Sequence, residues 1–454
     1  MNSEELAEAW KKGNEETIGW VYQSFISEEK DSIFNGFSRG KKASAEDIGP
    51  ATQIFTPKWI VQFLVESSLG NIWLEIHPDS RLKETLPRRI SCPRPLKMPL
   101  KLAKDISFLD PACGSMHFGL VAFDIFFEMY KEEFERAGQP GWPEKPSVNK
   151  IEDIPGAIIA NNLHGIDIDL RAVQLSALAL YLKARGNNPK CFFSDRNMVC
   201  ANIEPIVGGS LEDFLRRSSS EKPIVGKILK TLAVTLRESE SLGSLIRLEE
   251  ELKKLVAEER RKAVVDRQKT FDLPDMRNGV FESDKAMNSF FDTLEKEIEE
   301  MLDEFVRVSG EKGQVATRFA HEASKGLRLL DIVRRRYDVV ATNPPYMSRR
   351  NQSQVIATFL DTAFPDSKTD LYAAFISRCN ELTASCGATA MITQQSFMFI
   401  SSYENLREKL GSEIWVQSMA HLGPRAFDMV TGEKVNTTAF VLRKEADEET
   451  RRER

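Results

Sequence analysis

Residues 337–346 constrain this chain more than any other stretch. Tyr337-Asp338-Val339-Val340-Ala341-Thr342 is a short, mostly apolar run and reads as a buried strand. Pro344 and Pro345 lack the amide hydrogens that a ladder needs, so the strand must stop and the chain must turn out at its carboxyl end. In open α/β sheets that end is where ligands sit. The stop brings together the Asn343 side-chain amide, the Pro344 carbonyl and the Tyr346 ring. Two acceptors, Asn343 Oδ1 and the Pro344 carbonyl, suit a planar amino group, and Tyr346 suits the ring that carries it. Such a trio orients an exocyclic amine for attack on an electrophile. A plain strand-ending Pro-Pro turn is the simpler alternative.

Two more strand ends point to the same side of a sheet. Ile106 to Asp110 reads as a strand, Pro111-Ala112-Cys113-Gly114-Ser115 as a tight turn, and a helix starts near Met116. This is the strand, small-residue turn and helix of nucleotide-binding units, in which small residues admit a ligand close to the backbone. The turn carries no Lys of the phosphate-loop kind. Asn162 to Asp169 reads as a further strand ending in acids, before a helix over Arg171 to Lys183. Asp167 is placed to grip ribose hydroxyls, or else to cap that helix together with Asp169. Its distance from Asp110 far exceeds the roughly 20 residues of the usual fingerprint, and a loop over Pro140 to Ile154 accounts for part of the excess.

Ahead of these lies Phe55-Thr56-Pro57. Thr56 reads as a capping hydroxyl and Pro57 as the first helical residue of a helix ending near Gly70. Its amino-terminal end is either ordinary or faces a carboxylate. Further upstream, Trp20, Val21, Tyr22, Phe25 and Ile26 form an apolar helical surface. Arg81 to Pro99 reads as a linker.

The expected organisation is a helical region over 1–100, a first half of the core over 101–209, a helical insertion over 210–330, a second half over 331–444, and a charged tail over 445–454. In the insertion, Leu245, Leu248, Leu252 and Leu255 form one seam. Met287, Phe291, Leu294, Ile298, Met301 and Phe305 form another, predicting two antiparallel helices with a break near Asp272, Pro274, Asn278 and Gly279. Strands are also expected around Asn197 to Asn202, Gly387 to Thr393, Ile414 to Ala420 and Thr438 to Arg443, with a helix over Asp370 to Leu382. The net charge of −6 excludes a uniformly basic nucleic-acid coat but leaves room for a local basic groove. The six cysteines form no CxxC pair and the five histidines no HExxH, which fits a reducing cytoplasm and no metal site. No apolar run has the length of a membrane span, and no signal peptide opens the chain.

Taken together these motifs resemble the amino-group DNA methyltransferases that modify adenine N6. Asp110 to Ser115 resembles their first cofactor motif, Gly165-Ile166-Asp167 their second, Asn343-Pro344-Pro345-Tyr346 their catalytic motif, and Phe55-Thr56-Pro57 the motif they place ahead of the cofactor turn. Tyr22-Gln23, Phe55 to Gly70 and Ala112 to Asp124 resemble the phage-defence adenine methyltransferases of BREX systems, the PglX type. The resemblance implies a Rossmann-like α/β sheet, S-adenosylmethionine as cofactor, and an adenine flipped out of double-stranded DNA. It assigns Asn343, Pro344, Pro345 and Tyr346 to catalysis. To the cofactor it assigns Thr56, Asp110, Ala112, Cys113, Gly114, Asp167, Ile168 and Asn202, the last where the family often has an acid. Met116 stands where the family commonly has glycine. Arg349 and Arg350, just past the pocket, are phosphate-contact candidates or solvated loop residues. Arg334, Arg335 and Arg336 belong at the strand's far end.

Larger members of that family carry a target-recognition region after the catalytic domain. The chain therefore reads as a split or truncated member that takes a target-recognition or defence-system partner. Two other functions use the same residues: methylation of a protein glutamine amide, and a non-catalytic subunit that binds cofactor or DNA.

Overall fold

The apolar run before the two prolines is strand β4 (Tyr337–Thr342), buried along its whole length, and it lies in the middle of the sheet. The structure, a computed structural model, describes residues 17–92, 95–203, 214, 216, 223–236, 239–265, 293, 296–304, 306–307, 313–424, 426–427 and 436–445. The other strands are β1 (Phe108–Asp110), β2 (Leu163–Asp167), β3 (Met198–Cys200), β5 (Thr383–Gln394), β6 (Ile414–Gly423) and β7 (Thr437–Lys444). Among the described residues they form one seven-stranded sheet in the order β3-β2-β1-β4-β5-β7-β6. β1 pairs parallel with β2 and β4, and β4 pairs parallel with β5. β7 runs antiparallel between β5 and β6. The chain runs outward from β1 on one side, then returns to build the other side from β4. The switch point is therefore the gap between β1 and β4, where open sheets leave a crevice at their carboxyl ends.

Contacts divide the chain into two units, Met1–Val199 with Arg336–Arg454, and Cys200–Arg335. In the first unit the helices are α1 (Thr17–Phe25), α2 (Ser27–Ser38), α3 (Ala45–Thr52), α4 (Lys58–Val65), α5 (Asn71–Ile76), α6 (His117–Arg136), α7 (Ile154–Asn161) and α8 (Leu170–Asn187). In the second unit α9 (Pro223–Thr235), α10 (Leu248–Val265) and α11 (Gly313–Arg334) pack together, α10 against both others. The first unit resumes with α12 (Gln354–Ala363), α13 (Leu371–Leu382) and α14 (Glu404–Glu413). α6 lies on β1 and β2, and α13 lies on β4 and β5. No described helix is long and apolar enough to cross a membrane.

Several local expectations shift. Along α1, Ile18, Gly19 and Tyr22 are buried, as is Ile26 just past it, while Val21 and Phe25 are 51% and 76% exposed. A turn of 3.6 residues puts sequence neighbours on different faces, so the run 20–26 is not one face. The expected cap moves by one residue. Pro57, with φ −54° and ψ 137°, is the residue before the helix, and its carbonyl accepts from Ile60 and Val61. The helix does not end near Gly70. It passes through a π turn (Glu66–Gly70) into α5, because Gly70 keeps a helical φ of −61°. A Cβ there would meet Leu86 Cδ1 at 2.5 Å, so the glycine serves packing rather than termination.

The described residues of the stretch 81–99 are not a loose linker. Leu82, Leu86 and Leu96 are buried, and buried Glu66 and Ser67 accept from the Arg88 and Ile90 amides. In the insertion, Leu245 lies in a 3-10 turn before α10, and Val256 takes the buried place expected of half-buried Leu255. Ile298 and Leu302 are buried. The expectations on Met287, Phe291, Leu294, Phe305, the break at 272–279 and the tail beyond Glu445 lie outside the described residues.

Candidate active site at the switch point

Parallel register fixes the relative heights of the key residues. Asp110 pairs with Gly165 of β2, so Asp167 lies two residues beyond its level. Leu109 pairs with Val340 of β4, which puts Asp110 level with Ala341 and Asn343 two residues beyond. Asp167 and Asn343 thus rise to the same height on either side of Asp110, around the switch point.

The turn after β1 is held by its own backbone. The Cys113 amide donates to the Ile166 carbonyl at 2.9 Å, and the Ala112 amide to Asp110 Oδ1 at 3.2 Å. Gly114 has φ +52°, in the left-handed region that glycine tolerates best, and its amide donates to Asp167 Oδ2 at 2.8 Å. Asp167 Oδ1 accepts from the Asp169 amide at 2.8 Å. Burial pushes Asp110 up to about 7 and Asp167 up to about 6, against the hydrogen bonds they accept. Burial also pushes the Cys113 thiol well up, so Cys113 is a packing residue in its neutral form. Ile168 is half-buried beside Asp167.

Met116 has φ +65° at the start of α6, so the position where the resembling family commonly has glycine is indeed left-handed here. The cost of a side chain in that conformation is about 1 kcal/mol or more. Its buried thioether fills the space over Gly119, where a Cβ would meet Met116 Cε at 2.4 Å.

The capping role goes to Asp169, whose Oδ1 accepts from the Arg171 amide at 2.8 Å at the head of α8. Its Oδ2 accepts from the Tyr22 hydroxyl. The sequence marks Tyr22 only as part of an apolar helical surface and of a resembling stretch, with no role in the site attached. Phe55 packs against the tilted Trp20 ring at 4.3 Å and stacks on His117 at 4.4 Å, which ties the segment after α3 to the head of α6.

On the β4 side, Asn343 Nδ2 donates to Thr56 Oγ1 at 3.1 Å and to the Ile54 carbonyl at 3.3 Å. The Tyr346 hydroxyl lies 2.9 Å from both Asn343 Oδ1 and the Ile392 carbonyl. Its single proton serves one of them at a time. Burial raises that phenol well above its ordinary value, while the residue as a whole is half-buried. The ring meets Tyr372 edge-on at 6.0 Å. Beyond it, the Met347 amide donates to Asp370 Oδ1 at 3.0 Å, and Asp370 caps α13. Pro344 is buried and Pro345 half-buried.

The remaining predicted residues are dispersed. The Arg349 guanidinium turns onto α12, donating to the Ala357 carbonyl at 2.8 Å and pairing with Asp361. Asp361 also pairs with Lys368 at 3.1 Å. The Arg350 side chain is exposed. Its carbonyl accepts from Lys42 Nζ, and the Ala43 amide donates to the Asn351 carbonyl at 2.9 Å. Arg336 lies at the far end of β4 from Asn343. Asn202 is exposed just past β3 in the second unit, and the site described in the first unit does not include it.

The donor set discriminates between ligands. The Asp167 carboxylate and a turn without basic side chains suit a cation bearing a ribose diol and disfavour a pyrophosphate. These residues fit S-adenosylmethionine.

The model of the Eco57I restriction-modification methylase family matches residues 161–427. The adenine-specific methyltransferase BrxX of Escherichia coli O9:H4 (strain HS) is 31% identical over 94% of this chain and 33% of its own length. The adenine-specific methyltransferase PglX of Lacticaseibacillus casei (strain Zhang) is 32% identical over 95% of this chain and 32% of its own length. The chain thus spans about a third of the curated relatives it matches. Among solved structures, a DrdV–DNA complex aligns over 94% of this chain and 29% of that one, with a TM-score of 0.44 at 13% identity.

Proposed function

Because this chain belongs to the Eco57I restriction-modification methylase family, we propose that it carries a methyl group from S-adenosylmethionine to the N6 amine of adenine in duplex DNA, in phage defence or restriction–modification. The observation that carries this reading is the equal height of Asp167 and Asn343 across the switch point. A carboxylate and a side-chain amide at one height on either side of β1 support a diol-binding role for Asp167 and an amine-orienting role for Asn343.

When bound, the cofactor supplies an electrophilic methyl group on a sulfonium. Asp167 takes the ribose hydroxyls, with Ile168 beside it, and the turn Ala112 to Gly114 lies against the rest of the cofactor. Asp110 shapes that turn from below through the Ala112 amide. Asn343 Oδ1 and the Pro344 carbonyl accept from the two hydrogens of the adenine amine. These bonds localise a lone pair otherwise delocalised into the ring and aim it. Orientation of this kind lowers a barrier without a general base of shifted pKa. Tyr346 offers its ring to the flipped base, and base–aromatic stacking is worth about 1–3 kcal/mol. Arg350, an exposed cation four residues past Tyr346, is the residue assigned to a DNA phosphate.

The test is transfer of radiolabelled methyl from the cofactor to unmethylated duplex DNA, with a glutamine-bearing peptide alongside. N6-methyladenine in the DNA is the expected product, abolished by Asn343→Ala with cofactor affinity intact. Label found only in the peptide would sink the reading. So would an Asn343→Ala protein that loses cofactor as severely as Asp167→Ala.

A further inference from the structure

We infer that Thr56 is a positioning residue for Asn343, holding its side-chain amide with the oxygen turned to the pocket. The inference rests on the functional reading above and adds a residue to it.

A terminal amide is nearly symmetric in shape, and a catalytic acceptor is useful only if oxygen, not nitrogen, faces the amine. The two hydrogens of Asn343 Nδ2 each have a fixed acceptor: Thr56 Oγ1 at 3.1 Å and the Ile54 carbonyl at 3.3 Å. A carbonyl accepts and never donates, so the amide end facing Ile54 has to be the nitrogen. That leaves Oδ1 on the opposite side, where the Tyr346 hydroxyl lies at 2.9 Å. Donation at nitrogen also draws charge onto Oδ1 and makes it a better acceptor.

The cradle is rigid. Residues 53–57 join α3 to α4 and are anchored at alternate positions. Lys30 Nζ donates to the Gln53 carbonyl at 2.7 Å. Phe55 is packed against Trp20 and stacked on His117. The Pro57 carbonyl starts α4. Thr56 itself is buried, 4% exposed. The same segment touches the cofactor turn, because a Cβ on Gly114 would meet Gln53 Nε2 at 3.0 Å. One extended segment therefore sets both the cofactor turn and the catalytic amide. The hydroxyl of Thr56 accepts from Asn343 and keeps its own proton for another partner, so a bond to the cofactor is compatible with this role.

The experiment compares Thr56→Val and Thr56→Ser with the parent full chain. Single-turnover methylation of duplex DNA is measured at saturating cofactor and DNA. Thr56→Val should fall roughly 10- to 100-fold, the scale of a misplaced reacting group. Thr56→Ser, which keeps the hydroxyl, should stay within about threefold on the same scale. A second readout needs no turnover: hydrogen exchange of the Asn343 side-chain amide, its resonance identified by its loss in Asn343→Ala. Exchange should be slow in the parent and in Thr56→Ser, and fast in Thr56→Val. Parent-like turnover of Thr56→Val at saturation would overturn the inference, since Thr56 would then act only through cofactor affinity. Unchanged slow exchange in Thr56→Val would overturn it too. If the parent methylates no DNA, the functional reading fails by itself. The exchange comparison then still decides whether Thr56 holds the amide.

Discussion

The Gly114 amide donates to Asp167 Oδ2 at 2.8 Å, so the tip of the β1 turn is tied to the carboxylate that ends β2. This bond aligns the two strand ends before any ligand arrives. Together with the backbone donors at Asp169 and Ile168 it fixes the orientation of that carboxylate.

Cofactor affinity should follow the ionisation of Asp167. Burial lifts this acid to about 6 in the free protein. Hydroxyl donors favour the charged form, so binding must remove the proton below that pH. The cofactor dissociation constant should rise roughly tenfold for each step of one in pH below about 6. Asp167→Asn should bind weakly with a flat profile in titration calorimetry. A flat profile for the parent would mean that Asp167 does not touch the cofactor.

Asp110 should make the fold weaker at alkaline pH. Its pKa is about 7 in the fold, against an ordinary value of 3.8. An acid raised by folding stabilises while protonated, and that contribution is lost as pH rises through the folded value. Each tenfold change in proton affinity between the folded and unfolded chain is worth about 1.4 kcal/mol. Asp110→Asn keeps an acceptor for the Ala112 amide, so its denaturation midpoint should exceed the parent's at pH 8. At pH 5 the advantage should shrink.

Met116 and Gly119 should be coupled. Gly119→Ala pushes a methyl into the Met116 side chain and should cost about 1–3 kcal/mol. Met116→Gly relieves the left-handed strain but empties a buried site. In urea melts the double variant should lose clearly less than the sum of the two singles. Simple additivity would show that the two side chains do not share that space.

Tyr22→Phe should loosen α1 without disturbing the sheet. It deletes the hydroxyl that Asp169 accepts, a bond to a charged group worth about 1.5–3 kcal/mol. Faster hydrogen exchange confined to residues 17–38 is the expected readout. Unchanged protection there would show that the packing of Ile18 and Ile26 and the Trp20–Phe55 contact hold α1 without that hydroxyl.

Arg350 and Arg349 should separate in DNA binding. Arg350→Ala removes an exposed cation beside the pocket and should lower the logarithmic salt slope of affinity by about one. Arg349→Ala should change it little, because that guanidinium is spent on Ala357 and Asp361. Equal slopes for both variants would move the phosphate track elsewhere.

Much of this site was legible because its punctuation is local. Two prolines end β4 wherever they stand, and Asp110-Pro111 ends β1 in the same way. The acid that ends β2, the helix expected from Asp370 and the strand at Thr437–Lys444 also follow from neighbouring residues. Partners distant in sequence were not legible. Nothing in Phe55-Thr56-Pro57 says that Thr56 meets Asn343, nearly 290 positions away. Nothing around Tyr22 names Asp169, and two adjacent arginines look alike until α12 claims one of them.

The chain's sequence by itself determined where strands stop, where the turn is tight, and which side chains stand at those stops. These follow from backbone stereochemistry within a few residues. Only the tertiary structure decided the order of strands, the inward face of α1, and which way the Asn343 amide is turned. Those depend on register and packing between segments that sequence proximity does not relate.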